Sequence, residues 1–444
     1  MGNARLLPGA RHDMIIVMQS TPARPDGDRV VVTGLGAVTP IGNSAPAFWD
    51  ALLAGRSGAA PIASFDASEW ETTFACEVKG FDPVAHLDRK LANRLDRYAQ
   101  YAVVAADEAI ADAGIAPANL SRAERERIGV IVGSGIGGIQ TFEKQAAVLH
   151  TQGRRRVSPF LIPMMIPDMA AGVISMRHGL HGPNHAVVSA CATGNHNLED
   201  ALHAIRRGEA DVVVCGGSEA PICPLGVAGF AASRALSTRN ASPATASRPF
   251  DAERDGFVMG DGAAVLVVES LAHARRRGAR IYAEVLGTGS SADAHHMTAP
   301  HPEGLGASLA MQRALHASRL SPADVDTINM HGTSTELGDV AESRAIRGVF
   351  GLHADRLTAT STKSMTGHML GAAGSAEAIA SILAIVHGIV PPTINHERDD
   401  PACDLAYAFN TPVRRPVRVA MSNAFGFGGH NSAVVFAAYE ERAA

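Results

Sequence analysis

The feature that most constrains this chain is an alternation: short runs rich in β-branched residues are separated by Ala-rich stretches of helical period, and the series occurs twice. The first series runs from VVVTG at Val30 through helical stretches at 48–54 and 91–113 to the strand-like IGVIVG at Ile128. AVVSA and DVVVCGG then read as buried strands flanking a helix over 197–207, and GAAVLVVE closes the set. The second series is IYAEVLG, a helix over 306–318, TINMHG, a helix over 340–350, TATST, a helix over 373–387, and the runs RVAMSNAF and NSAVVFAA. Such alternation points to the α/β class. It divides the chain into halves at 29–279 and 280–444, a duplication suggested by pattern rather than by identity. Residues 1–28, rich in Arg, Pro and Gly and without periodicity, read as a disordered leader or an early-start extension, with Met14 and Met18 as alternative starts.

Composition narrows the function classes. A net charge of -5 gives no global basic field for nucleic acid or an anionic membrane, so an acidic partner has to be held by a local patch. The five cysteines lack CxxC spacing, which suggests neither a zinc site nor a disulfide framework, and a reducing compartment such as the cytoplasm fits best. The apolar run over 376–390 is interrupted by His387 and Gly388 before two prolines, so no membrane span is expected.

Cys191 in AVVSACATGNHNLEDALHAI stands where an expected strand turns into an expected helix. A thiol there faces the positive end of a helix macrodipole, which favours the thiolate. A buried inert cysteine fits this segment equally well. His331 follows the strand-like run 325–330, and His368 lies in STKSMTGHMLGAAG between an expected strand and an expected helix. Singly, each reads as an ordinary loop histidine; with Cys191 they make a Cys/His/His set at strand ends. GSGIGG at Gly133–Gly138 formally satisfies GxGxxG, but the following residues lack the ribose-binding acid and a well-defined first helix, so close backbone packing beside a substrate tunnel is preferred. Gly426, Gly428 and Gly429 in SNAFGFGGHN make a sharp turn between two strands that is able to aim an amide at an oxyanion, or an ordinary hairpin.

Taken together, SACATGNHN, HGTSTELGD, TKSMTGH and FGFGG closely resemble the β-ketoacyl-ACP synthases, and the likeness extends from VVVTGLGAVTPIG through RPFDAERDGFVMGDGA to the last strand. The resemblance implies a thiolase-like α/β/α/β/α fold of two related halves, a homodimer, and no cofactor, acyl groups arriving on the phosphopantetheine arm of acyl carrier protein. It implies Cys191 as nucleophile, His331 and His368 as neutral donors to a malonyl thioester, and Phe425 as both backbone oxyanion donor and gate. Lys363 is implied in tuning the site, with Glu377 as its buried partner. Thr333 and Thr335 are implied as pantetheine contacts, and Ile136 and Phe427 as substrate-binding. Histidine as the third catalytic group favours elongation over initiation, in fatty-acid synthesis or in a dedicated polyketide or nodulation-type pathway, and Cys191 disfavours a non-catalytic chain-length-factor role. His430 and Asp168 depart from the family's usual threonine and asparagine. For the acidic carrier, Lys90, Arg94 and Arg206 are the expected docking residues.

Overall fold

The computed structural model describes residues 26–441. Of the expected leader, residues 1–25 lie outside the described residues, and Asp26–Asp28 form a 3-10 turn whose Asp26 pairs with Arg29 and Arg275. Counting only the main sheet, the strands are β1 (Val30–Val38), β2 (Ile128–Gly133), β3 (Asn184–His185), β4 (Val212–Glu219) and β5 (Gly262–Ser270) in the first half. The second half holds β6 (Ala283–Ala292), β7 (Thr327–Asn329), β8 (Thr358–Thr360), β9 (Val419–Gly426) and β10 (His430–Ala437). Their order is β8-β7-β9-β10-β6-β1-β5-β4-β2-β3.

Read outward from the β6/β1 seam, the two halves are the same object. In each, the seam strand pairs antiparallel with a second strand, that one antiparallel with a third, and the remaining two continue in parallel. The seam itself is short: Val30, Val31 and Val32 pair with Val285, Glu284 and Ala283. The seven principal helices are α1 (Arg97–Asp112), α2 (Ile139–Gln152), α3 (Met169–His178), α4 (Thr193–Arg206), α5 (Leu305–Ser318), α6 (Glu336–Phe350) and α7 (Ala373–His387). α4 and α7 pack on each other and on strands from both halves, α1 and α3 cover the outer face of the first half, and α5 covers that of the second. The sheet thus folds back at the seam around a central helical layer, giving α/β/α/β/α. The apolar stretch Leu370–His387 is long enough to span a membrane, but here it is mostly buried as that layer.

Helix contact at the centre is close because small residues meet there. A Cβ on Gly194 would lie 2.5 Å from Ser375 Oγ, and one on Gly374 would lie 2.7 Å from Asn195 Oδ1. Both central helices are entered through a 3-10 turn, Ala190–Ala192 and Leu370–Ala372, with Ala190 at φ 51° and Leu370 at φ 47°. Such left-handed values cost free energy in residues with a Cβ and persist only where surroundings enforce them. Each turn is braced by the other half: a Cβ on Gly426 of β9 would meet Cys191 N at 3.0 Å, and one on Gly217 of β4 would run into Gly371 O.

Three sequence expectations are corrected. The helix over 91–113 is two helices, because Asp88 caps a short Arg89–Ala92 turn and Asp96 starts α1 afresh while its carboxylate also holds Thr141 N and Oγ1. AVVSA is not a strand: Val187 N donates to Asn197 Oδ1 and Ser189 N to Thr193 Oγ1, so side chains of α4 take the donors a ladder would need. A well-formed helix, α2, does follow GSGIGG.

Replacing Gly194 by valine should destabilise the protein by about 1–3 kcal/mol through overpacking at the helix crossing. Gly229→Ala, where a Cβ meets nothing within 4 Å, should be neutral or slightly stabilising. Thermal melting of both variants checks the contrast.

Candidate active site

Cys191 sits in the strained turn ahead of α4, with its side chain at the end of a cavity of about 590 Å³. His368 follows β8 and a short helix, and is fixed by backbone bonds to Val258 O and from Gly260 N. Its Nε2 lies 3.0 Å from Cys191 Sγ. His331 follows β7, its ring perpendicular to that of His368 with centroids 5.2 Å apart. The His331 and Gly332 amides both donate to the Glu342 carboxylate at 2.9 Å, which pins the loop carrying the imidazole. Neither Nδ1 has a hydrogen-bond partner among the described residues, so no neighbour locks a tautomer.

Electrostatics keeps both imidazoles neutral. Burial, then the Lys363 ammonium, depress His368 far below the usual histidine range; the same two causes and His368 itself depress His331. Lys363 is 1% exposed and paired with Glu377. Burial pushes Glu377 up to about 7, against the opposing pull of Lys363. Burial likewise pushes the Cys191 thiol up to about 12, against the Lys363 charge and the backbone amides of Phe427 and Cys191, which favour the thiolate. The lowered thiol pKa expected from the helix terminus is therefore outweighed by desolvation. Burial thus favours the thiol form of the sulfur, with the uncharged His368 ring beside it through Nε2.

Phe425 requires correction. The amides directed at the sulfur are those of Cys191 and Phe427. Phe425 lies within β9 in register with Asn431, and its ring stands 5.6 Å from His331. The reason is local: the turn begins only after Gly426, so the first amide free to leave the ladder toward the sulfur belongs to Phe427.

The cavity also takes in Thr333 and Thr335, whose hydroxyls are 3.0 Å apart, together with Ile136, Phe425 and Phe427. GSGIGG offers no anion site: Glu219 accepts from Ser134 Oγ, Gly135 N, Ile136 N and Gly371 N, so the loop's amides are already taken by a carboxylate. Asp168 precedes α3, and His430 opens β10 opposite Gly426.

Of the expected docking residues, Arg206 ends α4, the 14-residue helix that follows the Cys191 turn, which puts it about 20 Å from that turn at 1.5 Å per residue. It donates to the carbonyls of Asp28 and Leu286. Lys90 and Arg94 lie at the short Arg89–Ala92 helix, Arg94 stacked over Phe160 at 4.5 Å, and none of the three lines the cavity. The arginine in the cavity lining is Arg234, which is exposed. Its motif, GFAASRALSTRN, was visible in sequence; its place in the lining was not.

The β-ketoacyl synthase N-terminal domain family matches residues 27–274, and the C-terminal domain family matches 282–397. The chain belongs to the β-ketoacyl synthase family. It is 49% identical to the 3-oxoacyl-[acyl-carrier-protein] synthase 2 of Synechocystis sp. over 93% of this chain and 98% of that one. With the synthase 2 of Staphylococcus aureus it shares 50% identity over 93% and 99%. Among solved structures, a β-ketoacyl synthase from Burkholderia phymatum superposes with a TM-score of 0.86 at 36% identity, covering 93% of this chain and all of that one. The ishigamide ketosynthase/chain length factor does so with a TM-score of 0.85 at 37% identity, covering 93% and 99%.

Because His368 Nε2 lies 3.0 Å from the thiol, His368→Ala should slow alkylation of Cys191 by iodoacetamide at pH 7 and move the midpoint of its pH profile upward. Mass-spectrometric labelling rates measure this; an unchanged profile shows that His368 does not act on the thiol.

Proposed function

We propose that the chain catalyses the decarboxylating Claisen condensation of an enzyme-bound acyl thioester with malonyl-ACP to give 3-oxoacyl-ACP, the elongation step of fatty-acid biosynthesis. One observation carries this reading: a buried cysteine faces a neutral histidine at 3.0 Å, with a second neutral histidine perpendicular to the first.

In loading, Sγ of Cys191 attacks the carbonyl of the incoming acyl thioester. His368 Nε2 takes the thiol proton and gives it to the departing pantetheine sulfur as that carbon–sulfur bond breaks. Once the sulfur is acylated it no longer occupies His368, and with Nδ1 unpartnered the ring is free to return to its Nε2–H form. Malonyl-ACP then binds, and His331 and His368 donate to its thioester oxygen. The bond to the carboxylate breaks, carbon dioxide leaves, and the electron pair is held as an enolate whose oxygen accepts both hydrogen bonds. Neutral imidazoles suit this task, since each keeps a proton to donate. The enolate carbon attacks the acyl-cysteine carbonyl; the resulting oxyanion accepts from the amides of Cys191 and Phe427, and its collapse expels the cysteine as a thiolate, which takes up a proton from solvent to regain the thiol.

Thr333 and Thr335 are assigned to the pantetheine arm, since hydroxyls pair amides without adding charge. Ile136, half-exposed at the cavity, and Phe427, on the turn, are assigned to the acyl chain, with Phe427 taking over the gating role first given to Phe425. Lys363 and Glu377 tune the imidazoles from behind. The reading invokes no cofactor, and the cytoplasm is its compartment. Acyl carrier protein is the assigned partner; a solved ketosynthase of 34% identity is in complex with its type II acyl-carrier protein. A homodimer is supported by the two-residue strand β3 at the open edge of the sheet and by exposed Phe142, Ile162, Met176 and Val188 nearby in the first half. Fatty-acid elongation is preferred to a dedicated polyketide pathway because the synthases 2 stand at 49–50% identity and the type II PKS ketosynthase at 34%.

Turnover of C4 to C18 acyl-ACPs (about the range of fatty-acid elongation) with malonyl-ACP tests the reaction directly. Cys191→Ala should abolish loading and condensation while leaving malonyl-ACP decarboxylation, whereas His331→Ala should lose decarboxylation by about 10²–10³-fold. Condensation by the cysteine variant sinks the proposal. For the carrier, Arg234→Glu should raise KM for ACP substrates, most strongly at low salt, while Arg206→Glu should leave it unchanged.

A further inference from the structure

Two residues before the nucleophile, Ser189 begins a line of short contacts that the chemistry above does not use. Its Oγ lies 2.6 Å from His196 Nδ1; His196 Nε2 lies 3.0 Å from Ser290 Oγ; and Ser290 Oγ bonds to the Glu199 carboxylate. Ser189 belongs to the turn before α4, His196 and Glu199 to successive turns of α4, and Ser290 to β6 of the other half.

The direction of every bond in this line is fixed from its far end. Burial acts to raise Glu199, but hydrogen bonds from His203 and Ser290 hold it below the usual carboxylate range, so at neutral pH it is an acceptor only. Ser290 has one hydroxyl proton and gives it to Glu199. Ser290 therefore accepts from His196, which places the imidazole proton on Nε2 and leaves a lone pair on Nδ1. That lone pair accepts the Ser189 hydroxyl proton. Burial depresses His196 below its ordinary range, which keeps the ring in this neutral form. Ser189 is thereby tied twice, its side chain to His196 and its amide to Thr193 Oγ1 at 2.9 Å. The residue between this anchor and Cys191 is Ala190, at φ 51°. A residue held in that region needs neighbours that over-determine it.

We infer that Ser189, His196, Ser290 and Glu199 form a one-way hydrogen-bond relay that positions the nucleophile turn, with His196 as a positioning residue for Cys191. His196 touches no reacting atom. Its effect is on where the sulfur and the Cys191 amide point, and the carboxylate acts by choosing the tautomer of a ring two bonds away in the line. Ser290 makes the relay a link between halves: Arg313 of α5 donates to its carbonyl at 2.5 Å, so the serine is held from the second half while it holds the turn of the first.

The test reads Cys191 alkylation by iodoacetamide, mapped by mass spectrometry, beside malonyl-ACP decarboxylation, which does not need the sulfur. The second readout alone rests on the condensation reading. His196→Ala, Ser290→Ala and Glu199→Ala should slow labelling about three- to tenfold, the rate equivalent of one lost hydrogen bond, with decarboxylation unaltered. Glu199→Gln, whose amide oxygen still accepts from Ser290, should restore wild-type labelling. Unchanged labelling in His196→Ala and Ser290→Ala overturns the relay. So does an equal fall in both activities with a lowered melting temperature in each variant, which marks general damage to the fold. If the wild type fails to decarboxylate malonyl-ACP, the condensation reading falls and the labelling series still decides the relay.

Discussion

Everything else in this molecule depends on the contact between α4 and α7 at the centre of the fold. Two helices approach until glycine on one meets serine or asparagine on the other, and each is entered through a turn that its own sequence does not favour. Those turns survive because a glycine of the opposite half lies directly against each. The halves therefore do more than share a core: each enforces in the other a backbone conformation that neither would hold alone. In the first half that conformation presents a thiol. In the second it presents Gly371, whose amide helps satisfy the buried Glu219.

Around this contact, burial does the electrostatic work. It raises the thiol, depresses both imidazoles and raises the carboxylates of Glu219, Glu342 and Glu377. The buried ammonium of Lys363 acts on several of these groups at once, adding to the depression of the histidines while opposing the desolvation of Cys191 and Glu377. The result is a pair of uncharged imidazoles beside a sulfur that burial favours as a thiol. Substituting Lys363 would therefore change three reacting groups together.

Legibility in the sequence followed the range of the forces involved. The strands β1, β2, β4, β5, β9 and β10 and the helices α4, α5 and α7 were readable because each buries a continuous apolar run or a periodic face. AVVSA looked like a strand by the same rule, but two side chains of α4 capture its amides, and those are tertiary partners no local pattern contains. The break before α1 comes from Asp96, whose carboxylate reaches across to Thr141. In the site, motif resemblance gave Cys191, His331 and His368. Phe425 and Phe427 differ by two positions on one turn, and only the end of the β9 ladder decides which amide meets the sulfur. Charge on Arg206 was equally visible in sequence, and helix length sets it at the far end of α4 from the Cys191 turn.

The seam between the halves has a consequence for how the protein is made. Only three residue pairs join β1 to β6, so the first half leaves the ribosome with Cys191 already made and little of the second half to brace it. His368 is 177 residues further along the chain than Cys191. Contacts of such separation form late and slowly. Until they do, the sulfur has neither the His368 ring nor the Phe427 amide, and the turn that carries it lacks the glycine that holds it in shape. A half-finished chain thus carries the cysteine without its partners, and the site arrives with completion of the fold rather than with synthesis of the residue.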